Sequence, residues 1–182
     1  MKQLLLIALF FALPAASHSQ VLMSYDKTEG VDFAAFKTFK VYSLDVKNDP
    51  DLEPKREGLN YLIEEVNRQM VARGYQKVAD NPDLLINLGV TIAREQQTRT
   101  TDYRDAPMYI GQRSYHWESE EIVVRNYISG TVVMDLVDTQ NDEMVWQAVS
   151  KGILSSKHEK NRKVIAKGVK KLFKKFPVAV SK

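Results

Sequence analysis

The pattern of apolar and polar positions predicts a strand early in the chain. Residues 38–42, within the stretch VDFAAFKTFKVY, alternate between polar and apolar side chains. A period of two puts successive side chains on opposite faces of a sheet. We interpret residues 31–42 as the first ordered element, followed by a polar loop that contains Pro50 and Pro54.

Two other segments repeat apolar residues at intervals of three and four, which is the spacing of one helix face. The first covers about residues 54–73 and is followed by Gly74, a common helix stop. The second covers about residues 156–176 and ends at Pro177, and its narrow apolar stripe is flanked by Lys and Arg. The sequence therefore predicts two amphipathic helices.

Three extended segments lie between these helices. Residues 84–92 carry Leu, Ile or Val at every second position, and residues 115–137 extend further, with a break expected near Gly130. Residues 144–152 alternate again, and small side chains on the face of Trp146 predict close packing against a helix. The order of elements predicts a single α+β domain over residues 20–182, with a mainly antiparallel sheet and two helices packed on one face.

A polar and aromatic stretch, residues 95–113, separates two of these strands, and we interpret it as a long loop. Long loops in compact domains are often functional, and mixed aromatic and arginine side chains are typical of binding surfaces. The alternative is cross-strand packing within a hairpin. The candidate partner-binding residues are Arg99, Tyr103, Arg104, Tyr109, Arg113, Tyr115 and Trp117.

The first nineteen residues have the pattern of a secretory signal peptide. Lys2 precedes a short apolar run, and small residues including Ser17 and Ser19 precede a cut before Gln20. The run is shorter than the roughly twenty residues of a spanning helix, although an uncleaved membrane anchor is the alternative. Because the chain has no cysteine, disulfides, thiol catalysis and an acylated lipoprotein cysteine are excluded. We expect an exported protein, periplasmic or secreted and not lipid-anchored.

Charge is unevenly distributed along the chain, although its net value is only +3. Residues 151–182 contain eleven Lys or Arg and one acid, Glu159, whereas the preceding residues are net acidic. A basic helix face can attract anionic lipid or an acidic partner, and the alternative is an ordinary solvated face. We expect no nucleic-acid partner, because an exported protein has little occasion to meet one.

The acidic residues around Asp138 predict a turn rather than a metal site. A calcium loop starting at Asp138 would need Gly at its sixth position and Glu at its twelfth, and Glu143 and Val149 stand there instead. Asp and Asn between two apolar runs are typical of turns. We therefore predict a polar connection between strands over residues 138–143.

Candidate catalytic and metal residues are few. His116, Glu118 and Glu120 are spaced so that a strand would present them on one face, where they could meet a divalent cation, but a lone His with two exposed acids is common on a solvated strand face, which is the simpler interpretation. No Ser lies in a G-x-S-x-G setting and no glycine-rich phosphate loop is present. We expect no enzyme activity, no catalytic residue, no metal and no cofactor.

Several stretches together resemble the domain of unknown function 4136 (DUF4136) family of bacterial envelope proteins. The resemblance covers about residues 22–177 and is carried by VDFAAFKTFKVY, ARGY, PDLLINLGV and GTVVMDLVDTQNDEMVWQAVSKG. It implies export, frequently as a lipoprotein, an α+β domain and no assigned biochemical role, and it supplies no catalytic residues. This chain departs from the lipoprotein pattern because it lacks the cysteine.

Our leading hypothesis is a non-enzymatic binding or interaction module whose partner is an envelope protein or a small ligand. A second hypothesis is a peripheral protein attached to an anionic lipid surface through the basic C-terminal helix. A third is a metal-binding protein or weak enzyme centred on His116, Glu118 and Glu120.

Overall fold

The computed structural model describes residues 21–47, 56–101 and 119–180. The predicted signal peptide lies outside the described residues. Within them the chain forms six strands and two helices: β1 Val21–Lys27, β2 Thr38–Lys47, α1 Arg56–Val71, β3 Gln76–Lys77, β4 Leu84–Thr100, β5 Glu121–Asp138, β6 Glu143–Leu154 and α2 His158–Phe173. The α+β class and both predicted helices are confirmed.

The strands form one sheet in the order β1-β6-β5-β4-β2-β3. The pairs β1–β6, β6–β5 and β5–β4 are antiparallel, whereas β2 is parallel to both β4 and β3. The sheet is therefore mixed, and the prediction of a mainly antiparallel sheet is wrong. The reason is the connection from β2 to β4, because it contains α1 and is long enough to bring the chain back in the same direction.

The sequence pattern did not predict two short strands. β1 lies at one edge of the sheet and pairs with β6, and β3 lies at the other edge. The first ordered element is therefore β1, ahead of residues 31–42, and β2 itself begins only at Thr38. Edge strands bury little surface, as Met23 and Tyr25 of β1 remain more than half exposed, so their apolar alternation is weak.

Both helices pack on one face of the sheet, as predicted. Alternate residues of β4, from Leu84 to Val90, are buried on this face, and they share one core with the apolar stripes of α1 and α2. At one end of the core an aromatic cluster joins the helices, the sheet and the turn before β2. Its members are Phe33, Tyr75, Trp146, Phe173 and Phe176.

The connection between β5 and β6 is the predicted turn. The Asp138 carboxylate accepts hydrogen bonds from the Gln140 amide at 2.9 Å and the Asn141 side chain at 2.7 Å. Asp142 has a φ of 53°, a left-handed conformation that Asp tolerates. These acids form and satisfy a turn, so their clustering reflects local backbone chemistry.

The strand register fixes which segments meet at each end of the sheet. The turn after β5 lies at the same end as the aromatic cluster. At the opposite end lie the start of β1, the end of β6 and the N-termini of both helices. The C-terminal half of β4 and the N-terminal half of β5 lie at this end as well. We call this the upper end, and both candidate sites below belong to it.

Candidate functional site

A two-stranded ribbon extends from the upper end of the sheet. Pairing of β2 with β4 ends at Thr91, and pairing of β6 with β5 ends at Ile128. Beyond these points β4 and β5 pair only with each other among the described residues, as far as the Thr101–Glu120 contact. We call residues 95–101 and 120–127 the arm, which is about 20 Å long at the rise of a strand.

The arm corrects the prediction of a loop over residues 95–113, because residues 95–100 continue β4. Arg99 lies on the arm and is exposed. The other candidate partner-binding residues lie outside the described residues, so their prediction stays untested. They are Tyr103, Arg104, Tyr109, Arg113, Tyr115 and Trp117.

A β-bulge interrupts the arm at Val124, where Gln97 pairs with Arg125 but Thr98 pairs with Val123. The extra residue breaks the alternation of faces, and bulges commonly redirect side chains in this way. Val123 and Val124 are 49% and 45% exposed. The arm therefore presents two consecutive apolar side chains to solvent.

A polar cluster connects the base of the arm to the sheet, on the face opposite the helices. The Glu95 carboxylate accepts hydrogen bonds from the Tyr127 and Ser129 hydroxyls, each at 2.7 Å, and pairs with Lys151 of β6 at 2.5 Å. These donors, Lys151 first, lower the pKa of Glu95 to about 2. The hydrogen bond to Glu95 raises the pKa of Tyr127. Three strands are thus tied together where the arm leaves the core.

On the opposite, helix-covered face, an open pocket of about 320 Å³ lies between α1, α2 and the sheet. Its walls are apolar, and its mouth at the start of both helices carries Glu57, His158 and Arg162. The walls are formed by Leu59, Leu62, Val90, Ile92, Ile128, Val132, Leu154, Val164, Ile165, Val169 and Leu172.

The floor of this pocket consists of small residues. Gly130, Ser150 and Gly152 lie side by side on β5 and β6, and Gly168 faces them from α2. The sequence predicted that small residues on the Trp146 face would allow close helix packing. Ala148 is fully buried in the core, but Ser150 and Gly152 line the pocket. The prediction of close packing therefore fails at Ser150 and Gly152, because small residues on a strand can either admit a helix or leave space beneath it.

The family can now be assigned from the sequence as well as the fold. The sequence profile of the family described as "Domain of unknown function (DUF4136)" matches residues 21–178, which is most of the chain. The chain belongs to the DUF4136 family. No curated protein matches the sequence.

Solved structures share the fold of this DUF4136 domain. A DUF4136 family protein from Bacteroides thetaiotaomicron has 16% identity and a TM-score of 0.55, over 88% of this chain and 97% of that one. A PDZ domain protein from Parabacteroides distasonis has 13% identity and a TM-score of 0.50, over 90% of this chain but only 37% of that one. A minor lipoprotein from Acinetobacter baumannii is a weaker match, with 13% identity over 81% of this chain and 97% of that one, and its TM-score of 0.33 does not show a common fold.

Helix α2 of the DUF4136 domain turns its basic residues outward. Phe173 and Leu172 are buried, whereas Lys163, Lys167 and Lys170 are exposed. Among the described residues, no helix is long and apolar enough to cross a membrane. The apolar stripe of α2 is used in the domain core, so its charged face is left for solvent or for a partner.

The third hypothesis concerns residues at and beyond the end of the arm. His116 and Glu118 lie outside the described residues, and Glu120 is exposed at the end of the arm. Across residues 21–47, 56–101 and 119–180, no group of three or more His, Asp or Glu side chains could hold a metal ion. The proposed metal or weak enzyme site at His116, Glu118 and Glu120 remains a prediction.

Proposed function

We propose that this DUF4136 domain is a non-enzymatic binding module of the bacterial envelope and that the arm carries its contact surface. The observation that supports this most directly is a two-stranded ribbon that leaves the sheet without further strand partners among the described residues. Its partner would be an envelope protein or a small ligand.

The physical argument concerns the stability of such a ribbon. A two-stranded ribbon is only marginally stable in water, because it has no core of its own. Here the cluster around Glu95 holds its base, while its outer half exposes Val123 and Val124. Exposed apolar side chains on a ribbon that also carries an exposed arginine, Arg99, are typical of contact surfaces. The remaining candidate residues, from Tyr103 to Trp117, belong to the chain segment that joins the two arm strands.

The envelope location is part of the same proposal. The first nineteen residues have the pattern of a signal peptide, and the resemblance to DUF4136 proteins implies export. The absence of cysteine favours a periplasmic or secreted form without a lipid anchor.

Site-specific photocrosslinking in intact envelopes tests the arm. A photoreactive residue at Val123 should yield one dominant protein adduct, and the matched control at Met144, equally exposed but at the opposite end of the sheet, should not. Replacing Tyr103, Tyr109 and Tyr115 together with alanine should abolish the Val123 adduct while the circular dichroism spectrum stays unchanged. Equal adducts from both positions would refute the arm as the contact surface.

A second candidate function is peripheral attachment to anionic lipid through α2. Its support is the exposed basic face described above. The chain would bind vesicles containing phosphatidylglycerol, and binding would weaken steeply with salt because the Debye length falls to about 8 Å at physiological ionic strength. The Lys163→Glu, Lys167→Glu, Lys170→Glu triple variant should lose this binding. Equal binding to neutral vesicles would contradict it.

A further inference from the structure

We propose that the pocket between α1, α2 and the sheet binds one long-chain fatty acid, with the acyl chain between the helices and the carboxylate at Arg162. This inference goes beyond the proposed function and does not depend on the arm. It rests on the shape, the lining and the charged mouth of the pocket.

The dimensions suit a single chain. The pocket volume of about 320 Å³ lies near the lower end of the range of roughly 300–1,000 Å³ seen for ligand sites. Its lining follows α2 from His158 to Leu172, which is about 21 Å at a rise of about 1.5 Å per residue. The hydrocarbon core of a bilayer is about 30 Å thick and contains two opposed acyl chains, so one chain spans about 15 Å. This length fits within the pocket. A lipid with two chains would exceed this volume.

The lining suits a hydrocarbon. Protein interiors are normally packed as densely as organic crystals, so an apolar space of this size between two helices and a sheet departs from ordinary core packing. Small residues contribute to the space, because Ser150 and Gly152 carry almost no side chain toward α2. Gly58 of α1 lies close to α2, since a Cβ added there would be in ordinary van der Waals contact with Ile165 at 3.6 Å. The helices therefore meet near Gly58 while the floor below them stays open.

The mouth suits a carboxylate. The Arg162 side chain is half exposed and lies over the Tyr61 ring at 4.7 Å, and its distance to Glu57 is 3.9 Å, longer than a charge-assisted hydrogen bond. Its guanidinium therefore has donors available for a bidentate carboxylate. Of the residues that line the pocket, Arg162 carries the positive charge, so an anionic head group at the mouth would meet this guanidinium. An anionic head group is favoured over a neutral or cationic one.

Titration with the fluorescent fatty acid cis-parinaric acid tests the proposal on the whole exported chain. Wild type should bind one equivalent that palmitate displaces, and hexadecanol, which has no carboxylate, should displace it about tenfold less well. Ser150→Leu fills the floor and should weaken binding about tenfold or more. Its matched control, Val149→Leu, enlarges the neighbouring side chain on the other face of β6 and should bind as wild type.

Separate variants test the assignment of the carboxylate to the mouth of the pocket. Arg162→Gln should weaken binding of cis-parinaric acid about tenfold, and Arg162→Lys, which keeps the charge, should lose less. Lys163→Gln removes the neighbouring exposed charge, which does not line the pocket, and should leave binding unchanged. Equal loss in Arg162→Gln and Lys163→Gln would show a diffuse charge effect and overturn the assigned carboxylate site.

Crosslinking of the unmodified wild-type chain with a diazirine-labelled palmitate keeps the proposal testable if a variant misfolds. Adducts should map to the pocket walls, at Leu154 and Ile165. Adducts confined to Val123, Val124 or the outer lysines of α2, or binding equal in a folded Ser150→Leu variant, would overturn it. Because Val123 photocrosslinking reports on the arm alone, failure of one proposal is distinguishable from failure of the other.

Discussion

Asp83 shows how one side chain fixes the pairing of strands that are distant in sequence. Its carboxylate accepts hydrogen bonds from the amides of Lys37 at 2.7 Å and Thr38 at 2.9 Å, and its own amide donates to the Thr38 hydroxyl at 2.8 Å. The amides of Lys37 and Thr38 lower the pKa of Asp83 because they stabilise its charged form. Immediately afterwards Phe39 pairs with Leu84. Asp83 therefore holds the first residues of the parallel strands β2 and β4 in register.

A pH-dependent prediction follows from Glu95 at the base of the arm. Because its pKa is lowered from 4.5 to about 2 in the folded state, its stabilisation is present above pH 4.5 and is lost as the pH falls toward 2. The free energy of unfolding of wild type should exceed that of Glu95→Gln at pH 7, and the difference should shrink below pH 4.5. Urea denaturation at several pH values measures this.

The control for this experiment is Glu143→Gln, which removes an exposed carboxylate at the other end of β6. It should leave the free energy of unfolding nearly unchanged at every pH. A difference between wild type and Glu95→Gln that grows as the pH falls would contradict the predicted role of Glu95.

At the scale of elements, the residues just after α2 attach this helix to the rest of the domain. Phe176 is buried, and its ring lies 5.4 Å from Trp146 on β6 and 5.8 Å from Phe33 before β2, both in edge-to-face geometry. Tyr75, after α1, completes the contact, and its hydroxyl donates to the Phe33 carbonyl at 2.9 Å. Burial raises the pKa of Tyr75 to about 12. One ring therefore joins both helices and the sheet.

Removal of the Phe176 ring should destabilise the folded domain. We expect Phe176→Ala to lower the free energy of unfolding by about 3 kcal/mol, because it removes buried apolar surface and leaves a cavity between four aromatic rings. Chemical denaturation provides the measurement. Lys174→Ala, an exposed change two residues earlier, should alter stability by less than about 0.5 kcal/mol. A similar small effect of Phe176→Ala would show that the aromatic cluster contributes little.

At the scale of the whole molecule, one core supports two different surfaces. Both helices and the middle of the sheet share a continuous set of buried residues, so neither helix has a core of its own. The upper end of the sheet carries the arm on one side and the pocket mouth between the helices, whereas the opposite end is closed by the aromatic cluster. The arm and the pocket mouth thus lie at one end of the sheet, and the aromatic cluster lies at the other.

A single core predicts a single cooperative unfolding transition. In a Trp117→Phe variant the fluorescence would report only on Trp146, which is fully buried beside α2. The midpoint of urea unfolding measured by Trp146 fluorescence should coincide with the midpoint measured by far-ultraviolet circular dichroism. Separate midpoints would indicate that α2 and β6 unfold independently of the remaining sheet.

The elements with strong periodicity were predicted closely. The helix expected over residues 54–73 is Arg56–Val71, the one expected over residues 156–176 is His158–Phe173, and the inward face of β4 is as predicted. The break expected near Gly130 is absent, since β5 continues through it. Glycine there serves packing, because an added Cβ would lie 3.2 Å from the Leu154 side chain.

The candidate site was predicted only in part. The sequence directed attention to the segment between two strands, and Arg99 does lie on the exposed arm, but the strands continue further than the polar composition indicated. The pocket was not predicted at all. Its lining comes from α1, β4, β5, β6 and α2, and no local stretch of sequence contains more than a fraction of it.

By itself the sequence determined the two helix faces, the inward face of β4, the turn after Asp138, the basic surface of α2 and the family. Each of these depends on the spacing of residues within one segment, or on their order along the chain. Only the tertiary structure decided the parallel pairing of β2 with β4, the length of the arm and the open space above Ser150 and Gly152. These depend on distances between segments, which the packing of the whole core sets.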